Sequence, residues 1–156
     1  MTFSHKRTAK ELKKRNVILV ESDKGAADVV SWILSQHHFL AKRFTDPGKA
    51  LKEFRKNQER YNVIIVDARM PGMTGFEFAR RIRKISTDVR IVLLTDFQIT
   101  KSEFGKVFPS SHIDDIVVKP TAPGKLMQAV TGTDAPKNND NSVGAGGRQD
   151  YQSAVF

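Results

Sequence analysis

Cysteine is absent, which excludes disulfides, thiolate metal sites and cysteine nucleophiles. No apolar run approaches the roughly 20 residues that a membrane helix needs. The basic opening stretch 1–15 also lacks the apolar segment of a secretory signal. No membrane partner is expected, and the expected compartment is the cytoplasm. Equally missing are a His pair at metal-ligand spacing, a Gly-rich phosphate loop and a serine-triad motif. What is present is ordinary for a globular protein: 39% hydrophobic and 28% charged residues over 156 positions, about one domain of chain.

Charge is plentiful and uneven. The net value is +9, and residues 1–15 hold +5 of it, from Lys6, Arg7, Lys10, Lys13, Lys14 and Arg15 against Glu11. A basic arm of this kind attracts nucleic acid, an acidic partner or an anionic surface, or is simply a solvated terminus. No DNA-reading motif accompanies it, so nucleic acid ranks last among the expected partners.

Asn16 to Glu21 and Asn62 to Asp67 are continuous apolar runs ending in acid, and Val89 to Asp96 follows the same pattern. Ile116 to Val118, followed by Lys119, is a shorter version. Such β-branched, non-alternating runs predict strands buried on both faces of a parallel sheet. Phe39 to Phe44 is more polar and fits an edge strand. Between the runs lie helical patterns. Ala26, Val30, Ile33 and Leu34 share a face, and Asp46-Pro47 reads as N-cap and first helical residue. Phe78, Ile82 and Ile85 recur at helical spacing after Gly75; Phe104, Val107 and Phe108 predict a short helix, and Leu126 with Val130 a final one. The alternation predicts an α/β domain over 16–130, a doubly wound five-stranded parallel sheet with helices on both faces (flavodoxin-like). It is flanked by the basic arm 1–15 and by a Gly-, Asn-, Asp- and Ser-rich tail, 131–156, expected to be disordered. No second folded domain is expected.

In an open parallel sheet, ligands bind beyond the carboxyl ends of the strands, where the winding reverses. The polar residues gather at those ends: Glu21, Ser22 and Asp23 after the first strand, Asp67 at the third, Thr95 and Asp96 at the fourth, Lys119 at the last. Each alone has a bland reading, as a turn former, helix cap or solvated charge. Together they suit one chemistry. A carboxylate can attack phosphorus, Mg²⁺ takes one or two carboxylates plus phosphate oxygens and water, and a hydroxyl and an ammonium suit the remaining oxygens.

At these residues the sequence resembles the response-regulator receiver family of two-component signalling (chemotaxis-protein-like). The resemblance covers about 16–130 and is strongest over Val63-Ile-Ile-Val-Asp-Ala-Arg-Met-Pro-Gly-Met-Thr-Gly75, with Thr95 and Lys119-Pro120 in their expected places. It implies phosphorylation of Asp67 by a histidine kinase or phosphotransfer protein, with Thr95 and Lys119 binding the phosphoryl group. It implies Mg²⁺ held by Glu21, Asp67 and the backbone carbonyl of Arg69, and a cis peptide bond at Lys119-Pro120. It also implies a switch rather than an enzyme, at most one that catalyses its own phosphorylation and dephosphorylation.

The sequence departs from the family at several of these positions. Ser22 stands where a second acid is usual, so Asp23 or Asp96 is left to replace it, and the metal site is expected to be weak. Phe97 and Arg69 occupy positions that tune dephosphorylation in relatives. Ile116 stands where many carry a switching Tyr or Phe. The expected function is a stand-alone receiver whose phosphorylation at Asp67 changes a contact with an output protein, on a surface near Ile116. The alternative is a degenerate receiver that acts as a constitutive interaction module. A homodimer is an open option for either.

Overall fold

A computed structural model of the chain describes residues 15–98, 100–107 and 113–133. Residues 1–14 and 134–156, nearly all of the expected arm and tail, lie outside the described residues, as does Phe108. Five strands form one parallel sheet: β1 (Asn16–Val20), β2 (Leu40–Phe44), β3 (Val63–Asp67), β4 (Arg90–Thr95) and β5 (Asp115–Val118). Their spatial order is β2-β1-β3-β4-β5, so the winding reverses between β1 and β3. The helices are α1 (Lys24–Gln36), α2 (Pro47–Lys56), α3 (Gly75–Ile85), α4 (Lys101–Val107) and α5 (Pro123–Thr131). Among the described residues none is long and apolar enough to cross a membrane.

The continuous apolar runs have the predicted cause. Ile18, Val20, Ile64, Val66, Ile91 and Leu93 point to one face, under α2, α3 and α4. Val17, Leu19, Val63, Ile65, Val92 and Leu94 point to the other, under α1 and α5. Alternation along β1, β3 and β4 feeds two cores, so every position between the ends of these strands is apolar. Among the described residues β2 pairs only with β1, and its largely exposed pattern is that of the predicted edge strand.

Local chemistry sets the helix starts. Asp46 Oδ1 accepts from Gly48 N at 2.8 Å with Pro47 at the first turn, as its sequence predicts. Asp23 caps α1 by accepting from Ala26 N at 2.8 Å, and Thr74 caps α3 by accepting from Glu77 N at 3.2 Å. The buried face of α1 is Ala27, Val30, Ile33 and Leu34, with Ala27 in place of the expected Ala26. Both spacings fit a 3.6-residue period; with the helix opening at Lys24, Ala26 lies at the flank and Ala27 inward. Val29 and Trp32 lie on the outer side of α1, Trp32 62% exposed.

The residues flanking 16–130 take part in the fold. Arg15, assigned to the arm, accepts from Leu40 N at 2.8 Å through its carbonyl and lays its guanidinium over the Phe39 ring. Thr131, assigned to the tail, is the last residue of α5, which Gly132 closes at φ 71°.

Candidate functional site

The carboxyl ends of β1, β3, β4 and β5 carry Glu21, Asp67, Thr95 and Lys119, the first three almost fully buried. Lys119 Nζ donates to Glu21 Oε2 at 3.0 Å and to Asp67 Oδ2 at 3.2 Å. One ammonium thus bridges two buried carboxylates that lie 98 and 52 residues away in sequence. Its backbone N donates to Thr95 O at 2.8 Å, fixing the start of the β5–α5 loop to the end of β4. The following Lys119–Pro120 peptide is cis, as the sequence resemblance implies. Thr95 Oγ1 accepts from Phe97 N at 3.1 Å, which leaves its own hydroxyl proton free to donate.

Electrostatics at this edge are unbalanced: two anions share one cation. Burial pushes the Glu21 carboxyl above its ordinary value, and the negative charge of Asp67 adds to that. Hydrogen bonds from Lys119 and from Asp23 N only partly offset the rise. Burial pulls the Lys119 ammonium the other way, toward neutrality, but the Glu21 hydrogen bond and the charges of Asp67 and Glu21 outweigh it, so its value is raised. The lysine stays charged.

The β3–α3 turn leaves no slack. A side chain at Gly75 would press on the Asp67 carbonyl oxygen, Leu93 Cδ1 and Ala68 Cα. Gly75 N donates to Ala68 O at 3.0 Å, so α3 begins directly against the end of β3. Arg69 and Phe97, on the loops after β3 and β4, meet across the mouth of the site, with the guanidinium carbon 4.4 Å from the ring centroid. Both were singled out in the sequence, but nothing there signals that they touch. Ile116 is half-buried and packs on the core beneath α2, α3 and α4, where the Phe76 and Phe104 rings stack at 5.5 Å.

Ser22, Asp23 and Asp96 are all exposed. Asp23 Oδ1 is engaged in the α1 cap, and among the described residues no group of three or more metal-ligating side chains forms. Glu21 and Asp67 therefore offer two carboxylates, with the Arg69 backbone two residues beyond. That donor set fits Mg²⁺, which takes one or two carboxylates when phosphate oxygens and waters complete its shell.

Comparison with known proteins agrees with this geometry. The sequence profile of the response regulator receiver domain matches residues 17–131. The sensory transduction protein RegX3 of Mycobacterium tuberculosis is 28% identical over 116 residues, 74% of this chain and 48% of RegX3. The cyclic di-GMP phosphodiesterase response regulator RpfG of Xanthomonas campestris is 28% identical over 115 residues, 71% of this chain and 29% of its own length. The chain thus spans about half, or less, of the curated relatives it matches. The chemotaxis response regulator CheY4 of Vibrio cholerae superposes with a TM-score of 0.65 at 28% identity, over 75% of this chain and 96% of CheY4. By profile, sequence and fold, this chain belongs to the response regulator receiver domain family of two-component signalling.

Proposed function

We propose that Asp67 accepts a phosphoryl group from a phosphohistidine on a histidine kinase or phosphotransfer protein, in the cytoplasm. The observation that carries this reading is the Lys119 bridge between buried Glu21 and Asp67 at the switch point of the sheet. An Asp67 oxygen attacks phosphorus, the new P–O bond forms as the P–N bond to the donor breaks, and the donor imidazole leaves. Lys119 holds Asp67 in place beforehand and then turns a donor toward the phosphoryl oxygens. The Thr95 hydroxyl donates to another of them. Glu21, Asp67 and the Arg69 carbonyl would hold Mg²⁺, which when bound would supply positive charge to offset that of the phosphoryl group. The acquired charge on Asp67 draws Lys119 and Thr95 toward it and so biases the β4–α4 and β5 surface, where Ile116 lies, toward a different contact with an output protein.

The test is intact mass after incubation with Mg²⁺ and acetyl phosphate. Wild type gains one phosphoryl group and Asp67→Ala gains none; labelling that survives in Asp67→Ala overturns the assignment. A second reading, the constitutive interaction module, is favoured by neutral Ser22 and by Asp23 being engaged in the α1 cap. Wild type that stays folded and never gains mass decides for it.

A further inference from the structure

The exposed faces of α2 and α3 form a cationic surface that the phosphoryl site does not use. On α2, Lys49, Lys52 and Lys56 recur at i, i+3 and i+7, opposite buried Ala50, Leu51 and Phe54. On α3, Arg80 and Lys84 recur at i and i+4, opposite buried Phe78, Ala79 and Ile82. The two helices pack side by side, and exposed Arg55 adds a further cation on α2. Among the described residues these six cations make no hydrogen bond or ion pair. The acids of the two helices are already engaged: Glu77 by Arg81 at 2.9 Å, and Glu53 by Lys42 at 3.1 Å and Tyr61 at 2.7 Å.

We infer that this α2–α3 face binds the phosphate backbone of double-stranded DNA without reading sequence. Three features select that partner. The large exposed apolar side chains of the described residues are Val29, Trp32, Leu40 and Phe97, none of them on α2 or α3. A folded protein partner would find no aromatic or aliphatic anchor here, and lysine is depleted in such interfaces. A membrane would find no apolar side to insert, since those of α2 and α3 fill the core. A single strand would find no aromatic platform on which its bases could stack.

The dimensions suit a duplex. Lys49 to Lys56 covers about 10 Å along the axis. Exposed cations on two adjacent helices can therefore meet several backbone phosphates together, and no base-reading motif is required.

The experiment measures binding of the full chain to a short random-sequence DNA duplex between 50 and 200 mM salt. With about five phosphates neutralised, the plot of log K against log salt should have a slope of about −4 to −5, a loss of several hundredfold across that range. Lys49→Ala/Lys52→Ala/Lys56→Ala should reduce the slope by about 2 to 3 and leave the circular dichroism melt unchanged. Lys10→Ala/Lys13→Ala/Lys14→Ala should leave most of the binding intact. The inference is overturned if the wild type does not bind at 50 mM salt, or if the arm variant and not the face variant abolishes binding. Tighter binding to the matching single strand, to phosphatidylserine vesicles or to polyglutamate would equally overturn it.

Discussion

The two ends of the sheet hold similar side chains and arrange them to opposite effect. At the amino end, acids and cations are matched and tied to backbone. Arg83 donates to Val89 O at 2.5 Å and to Asp114 Oδ2 at 2.8 Å, and the same Asp114 oxygen accepts from Ile91 N at 2.8 Å. Arg90 joins Ala129 O and Asp115. Glu53 collects donors from Tyr61, Lys42 and Asn57. At the carboxyl end, two buried acids share Lys119 and little else. The titration behaviour follows: the Tyr61 hydrogen bond leads the effects that hold Glu53 below its ordinary value, whereas burial pushes Glu21 above it. Saturated polar groups fasten loops and helices together. A pocket in which two buried anions share one cation favours the uptake of a further cation, at some cost to the resting fold.

The amino end offers the sharpest way to break this contrast. Asp114→Ala should cost about 2–3 kcal/mol, because mostly buried Arg83 loses a carboxylate partner and Ile91 N loses its side-chain acceptor. Urea unfolding measures it, and a cost under about 0.5 kcal/mol, the level of an ordinary surface change, would mean that this end is no fastening at all.

A smaller effect is expected at the carboxyl end, where neutral Ser22 follows Glu21. Ser22→Asp should tighten Mg²⁺ binding about tenfold, roughly 1.4 kcal/mol, read by calorimetry. Asp23→Ala should leave Mg²⁺ affinity unchanged and lower stability by about 1 kcal/mol, since that carboxylate caps α1. Affinity lost in Asp23→Ala would show that the cap doubles as a ligand.

The smallest effect compares the two glutamates through pH. Glu53, held below its ordinary 4.5, contributes stability above that value that is lost as pH falls through its lowered one. Glu21, raised, does the reverse: its ionised form disfavours the fold, and protonation relieves that as pH falls. Glu21→Gln should therefore melt higher than wild type at pH 7, and Glu53→Gln lower; the Glu21 gap closes as pH falls to about 4, near the glutamate reference value, and the Glu53 gap closes only as pH falls further, through its lowered value. The same sign for both variants would remove the distinction between the ends.

Much of this was legible in the chain itself. β1, β3 and β4 declared themselves because both faces of each strand are buried, which forces unbroken apolar runs. The polar pattern of 39–44 marked an edge for the complementary reason. Glu21, Asp67, Thr95 and Lys119 were legible because each directly ends or follows a strand, and parallel strands align their carboxyl ends. Ala27 was missed because a 3.6-residue period tolerates either of two adjacent alanines until the first turn is fixed. The Lys119 bridge, the Arg69–Phe97 stack and the Arg83–Asp114 pair were not legible. Contacts between residues this far apart in sequence leave no periodic trace, and only the register of the sheet brings them together.

The lone tryptophan, Trp32, stands on the outer side of α1, away from both cores. Intrinsic fluorescence of this protein is consequently a reporter of one solvent-facing helix surface. Unfolding, which takes a buried indole into water in many proteins, changes the surroundings of this one little, so its emission maximum should hardly shift through the melt. The same insensitivity makes it a clean optical probe: a partner that covers α1 will blue-shift the emission, and chemistry confined to the strand ends will leave the spectrum alone.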